Sequence, residues 1–317
     1  MNEIFFLIFA FLTVFLSIKL SIYADNLSKT SNISKAVIGG ILLAGVTSLP
    51  ELITCLSSII LKNPKLALGD ILGSNLFNIF IMCFINIIFI KKLFTIKTSK
   101  NHKLIYLFLT INYLFMYLFI KNIINITIIN IGFPTFIIII IYIIYIKSIP
   151  KNTIQEEKTT TKQIKNLKEK LFITSILMIV SSVLLTTFVN NIALAHPTFS
   201  SGTIGAILLG ITTSLPEVIT FYTLITMNSY DLALGDIIGS NLFNLSVLAI
   251  ADLILINNTI YNYIDKETTI MVGLGLIFTI LSFIENIRNK TKNKFTYILP
   301  SIIVTILYLC FWFIGFV

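Results

Sequence analysis

Runs of apolar residues long enough to cross a bilayer recur from one end of this chain to the other. Residues 4–16 read IFFLIFAFLTVFL, and residues 133–146 read FPTFIIIIIYIIYI. A helix needs about 20 such residues to span the hydrocarbon core. In lipid every backbone polar group must be satisfied within the protein, which leaves only helices and closed barrels. The runs here are too long and too evenly apolar for barrel strands. They predict an all-α polytopic membrane protein. Only 12% of the 317 residues are charged, about half the share usual in a soluble domain, so no large soluble domain is expected.

The runs place ten transmembrane helices near 3–22, 35–60, 65–90, 103–120, 122–146, 171–190, 202–226, 231–257, 268–285 and 297–316. The first has no basic start and no small-x-small cleavage site, so it reads as a span rather than a signal peptide. Residues 147–170 form the one long hydrophilic stretch, with seven Lys and three Glu. The net charge of +9 does not point to nucleic acid, because the basic residues sit in loops that alternate in side. Lys62, Lys65, Lys121 and Lys266 fall on one side. Eighteen Lys and Arg, including the seven of the linker, fall on the other. That asymmetry puts the linker in the cytoplasm and both termini outside, as expected of a cell-membrane protein. Cys55, Cys83 and Cys310 lie within apolar runs and read as small buried hydrophobes. No cofactor motif and no nucleophile–histidine pair falls inside the spans, which argues against an enzyme. His102 and His196 read as loop residues. Nothing points to an obligate protein partner beyond the lipid bilayer.

The chain repeats itself. Residues 66–78, LALGDILGSNLFN, return as 232–244, LALGDIIGSNLFN, and TSLPE at 47–51 returns at 213–217. Both pairs have the same offset, so a whole unit is duplicated. The units are 1–146 and 171–317, joined by 147–170. Each holds five spans, an odd number, so the second enters the membrane from the opposite side. Two inverted five-helix repeats are an architecture of secondary transporters, with the substrate site near the midplane where the repeats meet.

The repeated residues are polar ones inside apolar helices. Glu51 and Glu217 are carboxylates at membrane depth, which cost at least about 2.5–3.5 kcal/mol on insertion scales. Thr47 and Ser48 lie four and three residues before Glu51, on one helical face with it, as Thr213 and Ser214 do for Glu217. Pro50 and Pro216 lack an N–H and clash with the preceding turn, near Gly45 and Gly210, predicting a break that frees carbonyls. On the next helix Ser74 and Asn78 share a face, as do Ser240 and Asn244, with Gly73 and Gly239 permitting close approach. Asp70 and Asp236, one turn back, read as structural supports or secondary ion contacts. Asp252 and Glu285 have no counterparts at the same offset and read as interface or local-pair residues. Pooled, the set is all oxygen. It suits calcium, which takes six to eight oxygens, and sodium would accept the same ligands. Zinc and copper would prefer nitrogen or sulfur. The transported ions are the only small-molecule partners implied; no cofactor is. Cation/proton exchange and a cation channel use similar groups and stay open on the residues alone.

The motifs GVTSLPE at 45–51 with GSNLFN at 73–78, and TTSLPE at 212–217 with GSNLFN at 239–244, resemble the two alpha-repeats of the sodium/calcium exchanger family, within the cation/calcium antiporter superfamily. The resemblance implies antiport by alternating access, with cation sites between the second, third, seventh and eighth helices. It makes Glu51 and Glu217 the central calcium ligands. Thr47 and Thr213 would add backbone carbonyls, as would Ala44 and Gly210. Ser48, Ser74, Ser214 and Ser240 would flank sodium sites, with Asn78 and Asn244 at the middle. Two departures stand out. Val46 and Thr212 occupy positions usually held by glycine, and Asn244 stands where some members carry Asp.

Overall fold

The computed structural model describes residues 2–93, 100–148, 164–195, 210–255, 258–287 and 293–315. These are nearly all helical. Helix α1 is Asn2–Thr30. Helix α2 covers 35–47 and contains a π-helical stretch, Ile38–Leu43. Then follow α3 (Leu49–Ile60), α4 (Pro64–Ile88), α5 (Lys100–Ile120) and α6 (Phe133–Ser148). The second half gives α7 (Leu167–Ala195), α8 (Leu215–Thr226), α9 (Tyr230–Ile254), α10 (Lys266–Ile287) and α11 (Lys294–Gly315). Among the described residues seven helices are long and apolar enough to cross a membrane, and the bent α2–α3 pair makes an eighth. α6 and α8 are shorter apolar helices.

The expected break falls at Ser48. Its ψ of 6° leaves the helical range, and α2 and α3 meet at 45°. Pro50 lies in the first turn of α3, where the missing N–H would have had no helical partner in any case. Ser214 repeats the geometry with ψ 5°, and Pro216 opens α8. The turns into α4 and α9 also match. Lys62 and Asn228 both take left-handed φ, 58° and 62°. Residues 202–209, the first part of an expected span, lie outside the described residues, as do His196 and most of the linker.

α4 and α9 form the centre. The most apolar 18-residue window of α9 is 78% buried, against 28% in α1, so α9 faces protein and α1 faces lipid over much of its surface. α2 crosses α9 closely because Gly39 has no side chain: a Cβ there would sit 2.6 Å from the Leu232 carbonyl oxygen. Gly239 likewise meets Gly40, at 2.8 Å to its oxygen. α1 lies along α7, joined by Thr13 and Ser181 hydroxyls at 2.8 Å and by stacked Phe5 and Phe188 rings at 5.2 Å. At its far end, Asp25 accepts from Ser229 and from Lys29 Nζ.

Several expectations need correction. The fifth span does not begin at 122. Residues 127–132 form a two-stranded hairpin, Thr127–Ile128 against Ile131–Gly132, with Ile129 and Asn130 at positive φ in the corner. The helix starts only at Phe133. His102 is not in a loop: it lies in the first turn of α5, 1% exposed, with Nε2 3.4 Å from Asp231. Cys55 and Cys83 are buried as expected, whereas Cys310 is exposed on α11. Asp252 is the local anchor anticipated. It accepts from the Gly132 and Ile260 amides and from the Thr135 and Thr259 hydroxyls, at 2.6–3.0 Å. Glu285 accepts from Asn86 and from Ser301 Oγ, the latter at 2.6 Å.

Candidate functional site

The breaks in α2–α3 and before α8 bring the two TSLPE segments against α4 and α9. Glu51, Glu217, Thr47, Thr213, Ser48, Ser214, Ser74, Ser240, Asn78 and Asn244 are each 0% exposed. Ala44 and Gly210 are buried too.

The contacts join one half of the chain to the other, and they come in reciprocal pairs. Ser48 Oγ donates to Glu217 Oε1 at 2.9 Å, and Ser214 Oγ to Glu51 Oε1 at 3.3 Å. Thr213 Oγ1 donates to Asp70 Oδ1 at 3.2 Å, and Thr47 Oγ1 lies 3.4 Å from Asp236 Oδ1. Ser74 and Thr213 hydroxyls are 3.1 Å apart, Ser240 and Thr47 hydroxyls 3.3 Å. Asp70 and Asp236 each receive a threonine hydroxyl from the opposite half. The Gly210 carbonyl accepts from Ser74 Oγ at 3.2 Å and from Thr213 Oγ1 at 3.1 Å. A Cβ at Gly210 would sit 3.1 Å from the Ser74 nitrogen, so the absent side chain is what allows this approach. The Ala44 carbonyl accepts the Ser48 amide at 3.2 Å.

One oxygen of each acid is left over. Glu51 Oε2, Glu217 Oε2, Asp70 Oδ2 and Asp236 Oδ2 are buried and have no hydrogen-bond partner in the described protein, nor do Asn78 Oδ1 and Asn244 Oδ1. These six atoms form three pairs at the repeat offset. An unmet buried acceptor costs about 1–3 kcal/mol, more when charged. Oxygens of this kind are what a hard cation takes as ligands. Among the described residues none of the four carboxylates is paired with Lys, Arg or His. No three His, Cys, Asp or Glu converge there either, so neutral oxygens would supply most of any cation's shell.

Sequence reasoning missed two residues here, Asn75 and Asn241. Both are 0% exposed and hydrogen-bonded across the halves. Their repetition at the common offset, inside a block of identical residues, was the available signal.

The profile of the sodium/calcium exchanger protein family matches residues 3–148 and 170–317, nearly the whole chain. An uncharacterized membrane protein of Methanocaldococcus jannaschii is 27% identical over 240 residues, covering 73% of this chain and 75% of its own length. The inner membrane protein YrbG of Escherichia coli K12 is 24% identical over 281 residues, 85% of each. Among solved structures, the sodium-calcium exchanger NCX_Mj soaked with 2.5 mM sodium and 0.1 mM strontium superposes with a TM-score of 0.71 at 21% identity, covering 98% of both chains. The same exchanger soaked with 10 mM sodium and no calcium gives the same TM-score, identity and coverage. At that identity the likeness speaks for the fold, and the family match speaks for the class. The chain is a member of the sodium/calcium exchanger family, an integral membrane transporter of the cation/calcium antiporter class and not an enzyme.

Proposed function

We propose that this protein exchanges sodium for calcium across the cell membrane by alternating access. The observation that carries the reading is the pair of buried carboxylates, Glu51 and Glu217, each held by a serine of the other half through one oxygen and left with the other oxygen unmet. Two carboxylates match one calcium ion in charge. In this reading Glu51 and Glu217 bind calcium, with Asn78 and Asn244 at the middle of the site. Thr47, Thr213, Ala44 and Gly210 contribute backbone carbonyls. Ser48, Ser214, Ser74 and Ser240 serve flanking sodium ions. The overlap of these oxygens makes the two cargoes compete, so the protein carries one at a time. NCX_Mj, whose fold this chain shares, has been solved after soaking with sodium, calcium and strontium.

The same reading takes the chain as ten spans in two inverted five-helix units, 1–146 and 171–317. The reciprocal contacts support it, because a pseudo-two-fold relation between halves generates such pairs. The lysine asymmetry supports a cytoplasmic linker at 147–170 and external termini. α1 and α7 carry small and hydroxyl residues as well as apolar ones on their buried faces, with few charges, and would slide over the core as the gates.

Calcium-45 uptake into sodium-loaded proteoliposomes, with pH clamped, tests the function. Uptake that needs internal sodium and survives proton ionophores supports it. Uptake driven by a pH gradient without sodium would move the assignment to calcium/proton exchange. Flux that neither saturates nor needs a counter-ion would make the protein a channel.

A further inference from the structure

Asn75 and Asn241 sit where α4 and α9 cross, and neither is among the proposed cation ligands. Asn75 Nδ2 donates to the Asn241 backbone carbonyl at 3.1 Å, and to Tyr113 OH at the same distance. Asn241 Nδ2 donates to the Asn75 backbone carbonyl at 3.0 Å. A backbone carbonyl can only accept. These two bonds therefore settle which end of each amide is nitrogen, a choice that amide shape alone leaves open.

The consequence passes to the next residues. With its nitrogen committed, Asn75 turns Oδ1 toward Asn244, whose Nδ2 donates to it at 3.1 Å. Asn241 likewise turns Oδ1 to Asn78, whose Nδ2 donates at 3.0 Å. The nitrogens of Asn78 and Asn244 are thereby engaged, and their oxygens are left buried without a hydrogen-bond partner among the described residues. Reversing either amide would face oxygen with oxygen and offer N–H to a cation.

We propose that Asn75 and Asn241 are positioning residues that fix the side-chain amides of Asn244 and Asn78 with their oxygens presented to the transported cation. Each acts on the ligand of the other half: Asn75 on Asn244, Asn241 on Asn78. The inference rests on the calcium reading of the site.

A pair of double-mutant cycles tests it, read as calcium-45 binding to the full chain in lipid nanodiscs. Asn75→Ala should weaken calcium binding about tenfold, in the range of coupled neighbouring residues. That loss should vanish in an Asn244→Ala background and persist in an Asn78→Ala background. Asn241→Ala should show the converse, lost with Asn78→Ala and kept with Asn244→Ala. A general structural role would weaken binding alike in both backgrounds, and that result would overturn the proposal. Should Asn75→Ala not fold, the Asn241 cycle decides alone, and Asn75→Asp, which keeps the acceptor but not the donor, gives a second variant on the first. A parent protein that binds no calcium would instead overturn the functional reading, and the inference with it.

Discussion

Ser48 Oγ donates to Glu217 Oε1 across the molecule, 169 residues away in sequence and 2.9 Å away in space. The bond orients a carboxylate whose other oxygen has no partner among the described residues, so one half of the chain aims an acid supplied by the other.

Replacing Glu51 or Glu217 with Gln keeps the shape and removes the charge. Ser48 or Ser214 can still donate to the amide oxygen, so the fold should survive. Calcium-45 flux should fall to the level of empty liposomes, while the elution volume and melting temperature stay near those of the parent. Persistent flux in either variant would remove that residue from the site.

The two serine bonds differ in length, 2.9 Å at Glu217 and 3.3 Å at Glu51. A hydrogen bond to a charged group is worth about 1.5–3 kcal/mol when well formed. Ser48→Ala should therefore weaken calcium binding about tenfold, and Ser214→Ala by less. Calorimetric titration of both variants reads the order, and equal losses would mean that the difference in geometry carries no energy.

Glycines of α2 should separate sharply. A Cβ at Gly39 meets the Leu232 carbonyl oxygen at 2.6 Å, and backbone cannot move aside as a side chain can. Gly39→Ala should cost about 1–3 kcal/mol by overpacking, seen as a melting temperature several degrees lower. Gly45 has nothing within 4 Å of an added Cβ. Gly45→Ala should be neutral or stabilise by about 0.5–1 kcal/mol through helix propensity. Equal thermal shifts would contradict the close α2–α9 crossing.

Much of this was legible in the chain because a few residues are so out of place. Glu51 and Glu217 stand out as carboxylates within apolar runs, and Pro50 and Pro216 announce breaks that the backbone makes at Ser48 and Ser214. The hairpin was hidden by hydropathy. Residues 123–131, IINITIINI, are apolar enough to extend a span, yet their interleaved polar residues lean toward a strand period. His102 reads as a loop residue because the apolar run starts only after it, whereas the helix starts at Lys100. Cys310 was read as buried because apolar surroundings in a membrane protein mean lipid as readily as core. The π-helical turn at Ile38–Leu43 followed from no local rule, although Gly39 and Gly40 mark it. Asn75 and Asn241 escaped for another reason. Their partners lie in the opposite half, so neither helix shows a spacing pattern that reveals them.

The crossed amides also bear on how such a chain can change over generations. Asn75 is answered by Asn241 and Asn244, and Asn241 by Asn75 and Asn78. Replacing any of these four asparagines therefore removes a bond made by a residue of the other copy. Residues 66–78 and 232–244 differ only at Leu72 and Ile238. Both are apolar, both are 1% exposed, and neither makes a polar contact across the halves. The one difference between the two copies therefore leaves every bond of the crossed amides in place.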